Sequence, residues 1–265
     1  MALVMGVLNV TPDSFSDGGV HLSPGRALER AREMIAQGAA WIDVGGESTR
    51  PGARPVEPDE ECRRVLPVLD AVVPLALESG VGVSIDTRNE ATARAAVHHG
   101  ATLLNDVAAT LWPVAADLGV GWVAMHMLGD PRTMQQAPRY DDVVDDVRSF
   151  LAERIEHAVS RGIAEERIWI DPGIGFGKTA AHNWALLAAV PRLAATGFPV
   201  AIGTSRKGFI GTLLGAADGE ADPAGTDDRI EGSVATAVRA ALDGASMVRV
   251  HDVATTVAAL GTVAA

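Results

Sequence analysis

Eight short, nearly uninterrupted apolar runs recur along the chain, and helically spaced segments separate them. The runs cover residues 3–9, 41–45, 81–86, 103–107, 122–126, 168–171, 200–203 and 247–251. A run that is apolar throughout, rather than at alternate positions, suits a strand covered on both faces, as in a parallel sheet. Between the runs, residues 24–37 carry Ala27, Leu28, Ala31, Met34 and Ile35 on one stripe, with Gly38 as the stop. Residues 59–77 repeat apolar side chains at Val65, Leu66, Leu69 and Val73, and Pro74 predicts a kink or break. Residues 141–161 repeat them at Val143, Val147, Phe150, Leu151 and Ile155; residues 183–195, 230–242 and 253–263 are further amphipathic segments. Strand and helix in eightfold alternation predict a single-domain (β/α)8 barrel, a TIM barrel, over residues 1–265, with its site at the C-terminal ends of the strands. A doubly wound open sheet is the alternative and usually needs fewer strands. Residues 215–228, rich in Gly and acidic side chains, break the rhythm and read as a mobile surface insertion.

The length of 265 residues suits one barrel of roughly 250. The single cysteine, Cys62, excludes disulfide frameworks and cysteine-based zinc sites within the chain, and its place on a helix away from the strand ends makes it a bystander. With 22 basic and 34 acidic residues the net charge is −12, which argues against nucleic acid and anionic membranes as partners. A small anion in a locally basic pocket stays compatible with that charge. No apolar run reaches the ~20 residues of a membrane span. No basic leader precedes the first apolar run, and Thr11-Pro12-Asp13 interrupts it, so a soluble cytoplasmic protein is expected.

Polar residues gather where the strands end. They are Asn9; Gly45-Gly46-Glu47-Ser48-Thr49-Arg50; Asp86; Asn105-Asp106; Met125-His126; Asp171 with its glycine-rich follow-on; Ser205-Arg206-Lys207; and Arg249-Val250-His251-Asp252. Any one of them could be an ordinary strand cap, but eight together predict one convergent pocket. Asp86, Asn105 and Asp171 offer acceptors and an amide to a flat heterocycle with amino and ring N–H donors, whose burial unpaired would cost ~1–3 kcal/mol each. Arg50, Lys207, Arg249 and His251 supply positive charge suited to phosphate or pyrophosphate.

Two motif matches fail. Gly173-Ile174-Gly175-Phe176-Gly177-Lys178-Thr179 looks like a phosphate-binding loop, but the first required glycine falls on Pro172; the dinucleotide fingerprint spacing is also missed. These glycines are expected to turn the chain tightly above a strand end. His21, His98, His99, His157 and His182 fall in loops or helices and read as surface or packing residues, and no His pair has zinc spacing.

The chain resembles the dihydropteroate synthases over nearly its whole length. The resemblance is carried by Met5-Gly6-Val7-Leu8-Asn9-Val10-Thr11-Pro12-Asp13-Ser14-Phe15-Ser16-Asp17-Gly18-Gly19 and by Asp43-Val44-Gly45-Gly46-Glu47-Ser48-Thr49-Arg50-Pro51-Gly52. Ser84-Ile85-Asp86-Thr87, Asn105-Asp106-Val107, the Asp171 loop, Ser205-Arg206-Lys207 and Arg249-Val250-His251-Asp252 follow in family order. The resemblance implies that dihydropterin methyl pyrophosphate and p-aminobenzoate condense to dihydropteroate and pyrophosphate with Mg²⁺, in a sulfonamide-sensitive step of folate biosynthesis. It implies that Asp86, Asn105, Asp171 and Lys207 hold the pterin, and that Met125, Phe176 and Gly203 wall its pocket. It further implies Thr49, Arg249 and His251 on the pyrophosphate, Asn9 on Mg²⁺, and Phe15, Arg50, Pro51 and Ser205 at the p-aminobenzoate site. Asp86 and Asp171 would stabilise a pterin methylene cation, with Asp13 approaching from the first loop. A homodimer, and closure of loops 11–21 and 47–57 over the site, are implied as well. The chain departs from the family pattern after Asn105-Asp106-Val107, where Ala108-Ala109-Thr110-Leu111 is shorter and less polar, and the N-terminal extension that caps the barrel bottom in many members is not expected here. A methyltransferase-like pterin barrel and a non-catalytic pterin-binding paralogue are the other readings of the same residues.

Overall fold

The computed structural model describes residues 1–11, 23–48, 53, 55–220 and 222–264. Asp13, Phe15, Thr49, Arg50 and Pro51 lie outside the described residues, so their expected roles stay with the sequence. In chain order the elements are β1 (Leu3–Asn9), α1 (Pro24–Ala36), β2 (Trp41–Gly45), α2 (Pro58–Glu78), β3 (Gly82–Asp86), α3 (Glu90–His98) and β4 (Leu103–Asp106). Then come α4 (Trp112–Leu118), β5 (Gly121–Met125), α5 (Val143–Ser160), β6 (Ile168–Asp171), α6 (Ala180–Ala188) and α7 (Val190–Ala194). The chain ends with β7 (Ala201–Ile202), α8 (Gly208–Ala217), α9 (Ile230–Leu242), β8 (Met247–Val250) and α10 (Val253–Val263).

All strand pairs are parallel, in the order β6-β5-β4-β3-β2-β1-β8-β7. A parallel bridge between Ile170 and Val200 joins the two ends of that series and closes the barrel. That link between the end strands, with Ile170 N donating to the Pro199 carbonyl at 3.0 Å, decides against an open sheet. The large outer core lies between strands and helices; Ile42, Val44, Ile85, Leu104, Trp122 and Ile168 are fully buried in it. A second, small cluster fills the floor of the barrel: Met5, Leu103, Val123, Ala201 and Met247, with Trp41 and Trp169 against it. Gly82 makes room for this floor, because a Cβ there would lie 2.5 Å from the Trp41 ring. Two residues further along the strands the barrel interior turns polar, and that change sets the depth of the site.

Three local expectations need correction. Helix α2 runs unbroken through Pro67 and Pro74. Both prolines are exposed, as are Arg63 and Asp70 four residues before each, so the carbonyls that lose a partner there face solvent. The helix expected over 183–195 is two helices that meet at Ala189, where Pro191 cannot extend the hydrogen-bond ladder. The segment read as a loose insertion is anchored. Its first residues finish α8, and Arg229 donates to the Ala224 carbonyl from Nε (2.9 Å) and Nη2 (2.6 Å) and to the Arg206 carbonyl from Nη1 (3.0 Å).

Candidate active site

Asp43, in the middle of β2, is the hub of the polar layer and is fully buried. Its Oδ1 accepts from Ser84 Oγ at 2.6 Å, and its Oδ2 accepts from Asn105 Nδ2 at 3.0 Å and from Arg249 Nε at 2.6 Å. Arg249 Nη2 also donates to Asp86 Oδ2 at 2.7 Å. One guanidinium, entering from β8, therefore joins carboxylates of β2 and β3. Register explains why these residues meet: Asp43 pairs with Ser84 and Asp86 with Asn105 on adjacent strands, with side chains of the same parity facing inward. The other oxygen of Asp86, Oδ1, is buried without a hydrogen-bond partner among the described residues. Burial pushes the Asp86 carboxyl up to about 7; Arg249 opposes this, and Asp43 and Glu61 add to it.

Asn9 ends β1 beside this cluster. A Cβ on Gly45 would lie 3.4 Å from Asn9 Oδ1 and 3.5 Å from Asp86 Cβ, so only the bare glycine separates them. Met125, 4% exposed, is in register with Asp171 across β5 and β6. Burial raises the Asp171 carboxyl, and Lys207 opposes the shift. One Asp171 oxygen accepts from the Gly173 backbone at 2.6 Å, which fixes its direction above the strand end. The glycine-rich segment behaves as expected from the failed motif: Gly173, Gly175 and Gly177 all have positive φ.

Lys207 reaches this loop from the end of β7. Its Nζ donates to the Ile174 carbonyl and sits 4.6 Å from the Phe176 ring centroid. Burial lowers the Lys207 ammonium to about 8, with Asp171 acting in the opposite direction. A Cβ on Gly203 would fall 3.8 Å from Arg249 Cβ and 3.9 Å from Lys207 Nζ, so Gly203 walls the same space. Ser205 Oγ accepts from the His251 backbone at 3.1 Å and lies 3.0 Å from His251 Nδ1. Between Ser205 and Lys207, Arg206 adopts φ 59° and grips Asp252 with two bonds of 2.7 and 3.0 Å. That left-handed turn is held by the ion pair and separates its two neighbours from the outward-turned guanidinium.

The structure thus assembles Asn9, Asp86, Asn105, Met125, Asp171, Phe176, Gly203, Ser205, Lys207, Arg249 and His251 at one end of the barrel. Sequence pattern assigns no specific role to several residues there. Asp43, inside the segment 43–52, is one of them. Glu61, fully buried on α2, accepts from Thr87 Oγ1 (3.0 Å), Asn89 Nδ2 (2.8 Å) and Thr92 Oγ1 (2.6 Å), and so ties α2 to the loop after β3. Cys62, its neighbour, lies 3.7 Å from Thr92 Oγ1. Glu47, after β2, pairs with Arg88, after β3, at 2.8 Å. Acidic residues at the start of an amphipathic helix look solvent-facing in a sequence, and only the closeness of the β2 and β3 loops reveals otherwise. After β4, the shortened segment folds on Asp106, whose carboxylate accepts from Ala108 N (3.0 Å), Leu111 N (2.6 Å) and Trp122 Nε1 (3.0 Å).

Fold and polar mouth together define a pterin-binding type of (β/α)8 barrel, and the family described as "Pterin binding enzyme" matches residues 5–251. The dihydropteroate synthase of Escherichia coli (strain K12) is 45% identical over 266 residues, covering 99% of this chain and 90% of that protein. The Yersinia pestis dihydropteroate synthase, solved with a sulfonamide drug complex, superposes with a TM-score of 0.90 at 44% identity, covering 99% of this chain and 93% of the other. The Xanthomonas albilineans dihydropteroate synthase in complex with 7,8-dihydropteroate gives 0.86 at 43% identity, covering 99% and 92%. The chain belongs to the dihydropteroate synthase family.

Proposed function

We infer that the protein condenses 6-hydroxymethyl-7,8-dihydropterin diphosphate with p-aminobenzoate to give 7,8-dihydropteroate and pyrophosphate. The observation that carries this reading is the buried Oδ1 of Asp86, without a hydrogen-bond partner among the described residues and in register with Asn105. An acceptor left so deep would cost ~1–3 kcal/mol unless a ligand donor meets it, and the amino and ring N–H groups of a pterin are such donors. Lys207 donates to the pterin carbonyl side, and Met125, Phe176 and Gly203 bound the ring. Arg249 uses two of its five N–H groups on Asp43 and Asp86, so others can reach a pyrophosphate oxygen, with His251 beside it. As the carbon–oxygen bond to pyrophosphate breaks, these cations take up the growing negative charge. Asp86 and Asp171 face the positive charge left on the pterin methylene. The arylamine nitrogen then forms the carbon–nitrogen bond and loses a proton.

Mg²⁺ fits this arrangement. Among the described residues no group of three or more His, Cys, Asp or Glu side chains could hold a metal. The Oδ1 of Asn9 nonetheless lies at the mouth, and Mg²⁺ commonly takes one or two protein oxygens plus substrate phosphates and water. Bound there, it would help neutralise the leaving pyrophosphate. A homodimer belongs to the same proposal, supported by the half-exposed Trp184 on α6 and Leu213 on α8, at 37% and 50%. No helix among the described residues is long and apolar enough to cross a membrane. A cytoplasmic setting, with small-molecule substrates, completes the proposal. Pyrophosphate release from the two substrates is the decisive assay; tight pterin binding without release would support the non-catalytic paralogue instead.

A further inference from the structure

Lys178 is a buried cation that the chemistry above does not use. It is 2% exposed, and among the described residues no carboxylate lies within ion-pair distance of it. Its Nζ lies 2.9 Å from His126 Nδ1, 3.0 Å from the Phe176 carbonyl and 3.4 Å from the His126 carbonyl. An ammonium has three donors, and this cradle has three acceptors. His126 is itself 6% exposed, with its ring edge-on to Phe150 at 4.9 Å. Burial, helped by the charge of Lys178, drives His126 down to about 3, so it is neutral and Nδ1 can accept. Burial lowers Lys178 to about 7, with Asp171 opposing and Lys207 adding to the shift. Tyr140, whose ring centroid is 5.9 Å from Nζ, closes the remaining side.

A buried lysine with no carboxylate in direct contact among the described residues is expensive, so its position calls for a function. The parts it joins are the end of β5 and the loop after β6. They press together along a seam: a Cβ on Gly173 would fall 1.8 Å from the His126 carbonyl oxygen. That loop carries Phe176 and the Ile174 carbonyl that receives Lys207, and its Gly173 amide aims Asp171. Its outer side is fastened separately, by Gln135 Nε2 to the Gly175 carbonyl at 2.6 Å and by Tyr140 Oη to the Gly177 carbonyl at 2.8 Å. Lys178 ties the loop to His126 at the end of β5.

We propose that Lys178 is a positioning residue for the pterin pocket, bridging His126 to Phe176 and so fixing the loop that aims Asp171, Phe176 and Lys207 at the ring. This rests on the pterin diphosphate being the substrate. The test is steady-state kinetics on Lys178→Met, with calorimetric binding of the pterin substrate alone. KM and Kd for the pterin substrate are expected to rise about tenfold, while KM for p-aminobenzoate and kcat stay within about threefold and the melting temperature does not fall. His126→Leu, which removes the Nδ1 acceptor, is expected to give the same split. His126→Asn, whose Oδ1 can replace Nδ1, is expected to restore most of the affinity. An unchanged pterin KM in both Lys178→Met and His126→Leu overturns the proposal. So does an equal rise in both KM values accompanied by a lower melting temperature. If Lys178→Met does not fold, the His126 pair decides. Wild-type protein that binds the pterin but releases no pyrophosphate refutes the reaction and leaves the clamp to the binding data; wild-type protein that does not bind it overturns both.

Discussion

Replacing Asp43 by Asn probes the polar layer without changing its shape. Asp43 is fully buried and receives Ser84, Asn105 and Arg249. The amide can turn its Nδ2 toward Ser84, whose hydroxyl rotates to accept, and keep Oδ1 on Asn105 and Arg249. What disappears is the charge opposite a guanidinium whose side chain is only 24% exposed. Removing one partner of a buried ion pair destabilises by about 3–5 kcal/mol, but here Asp86 remains on Arg249 and the hydrogen bonds persist, so the expected loss is about 2 kcal/mol. Asp43→Ala also deletes the hydrogen bonds and is expected to lose about 4 kcal/mol. For a chain of this size about 2 kcal/mol corresponds to a melting-point shift of roughly 4–8 °C. Urea unfolding followed by tryptophan fluorescence suits the measurement, since Trp41 and Trp169 pack against the barrel floor directly beneath the layer. A loss below about 0.5 kcal/mol for Asp43→Asn, or equal losses for Asn and Ala, would refute the ledger of charge and hydrogen bonds drawn for this residue.

Asp171→Asn is expected to weaken pterin binding by about 1.5–3 kcal/mol, more than p-aminobenzoate binding, and titration calorimetry with the pterin alone checks it. Lys207→Ala should be among the most damaging single changes to kcat/KM, and Lys207→Arg only partly restorative, because a broad guanidinium must fit between Ile174 and Phe176; near wild-type rates for Lys207→Ala would remove it from the site. The Asp86 carboxyl is raised from 3.8 to about 7 in the folded protein. The folded state therefore binds the extra proton, and this group's contribution to stability is fully present below about pH 4 and lost as the pH rises through 7. Relative to Asp86→Asn, the wild type should accordingly lose stability between pH 4 and 7, which denaturant titrations at several pH values would reveal; parallel pH curves for the two proteins would contradict the assignment. A sulfonamide is expected to bind weakly to the free protein and more tightly with pyrophosphate and Mg²⁺ present, and equal affinity in both conditions would argue against coupling between the two subsites.

The sequence alone determined the architecture and most of the pocket. Strands covered on both faces are apolar at nearly every position, so eight such runs were visible without a partner, and polar residues at their ends marked the mouth. Asp86, Asn105, Asp171, Lys207 and Arg249 were legible for that reason. Helix interruptions were less legible: Pro74 predicts a break yet leaves its helix whole because the freed carbonyl faces water, and residues 183–195 read as one helix yet divide at Ala189. Tertiary structure alone decided which charges meet. Arg249 and Asp43 are 206 positions apart, and only closure of β1 on β8 brings one guanidinium onto the carboxylates of β2 and β3. Glu61 and Lys178 look like solvated residues of a helix start and a loop, and become buried only when the β2 and β3 loops, or the β5 and β6 ends, are pressed together. Local periodicity records which face of an element is covered. The identity of the covering partner is a long-range property, fixed by barrel closure and register, and it turned scattered polar residues into one site.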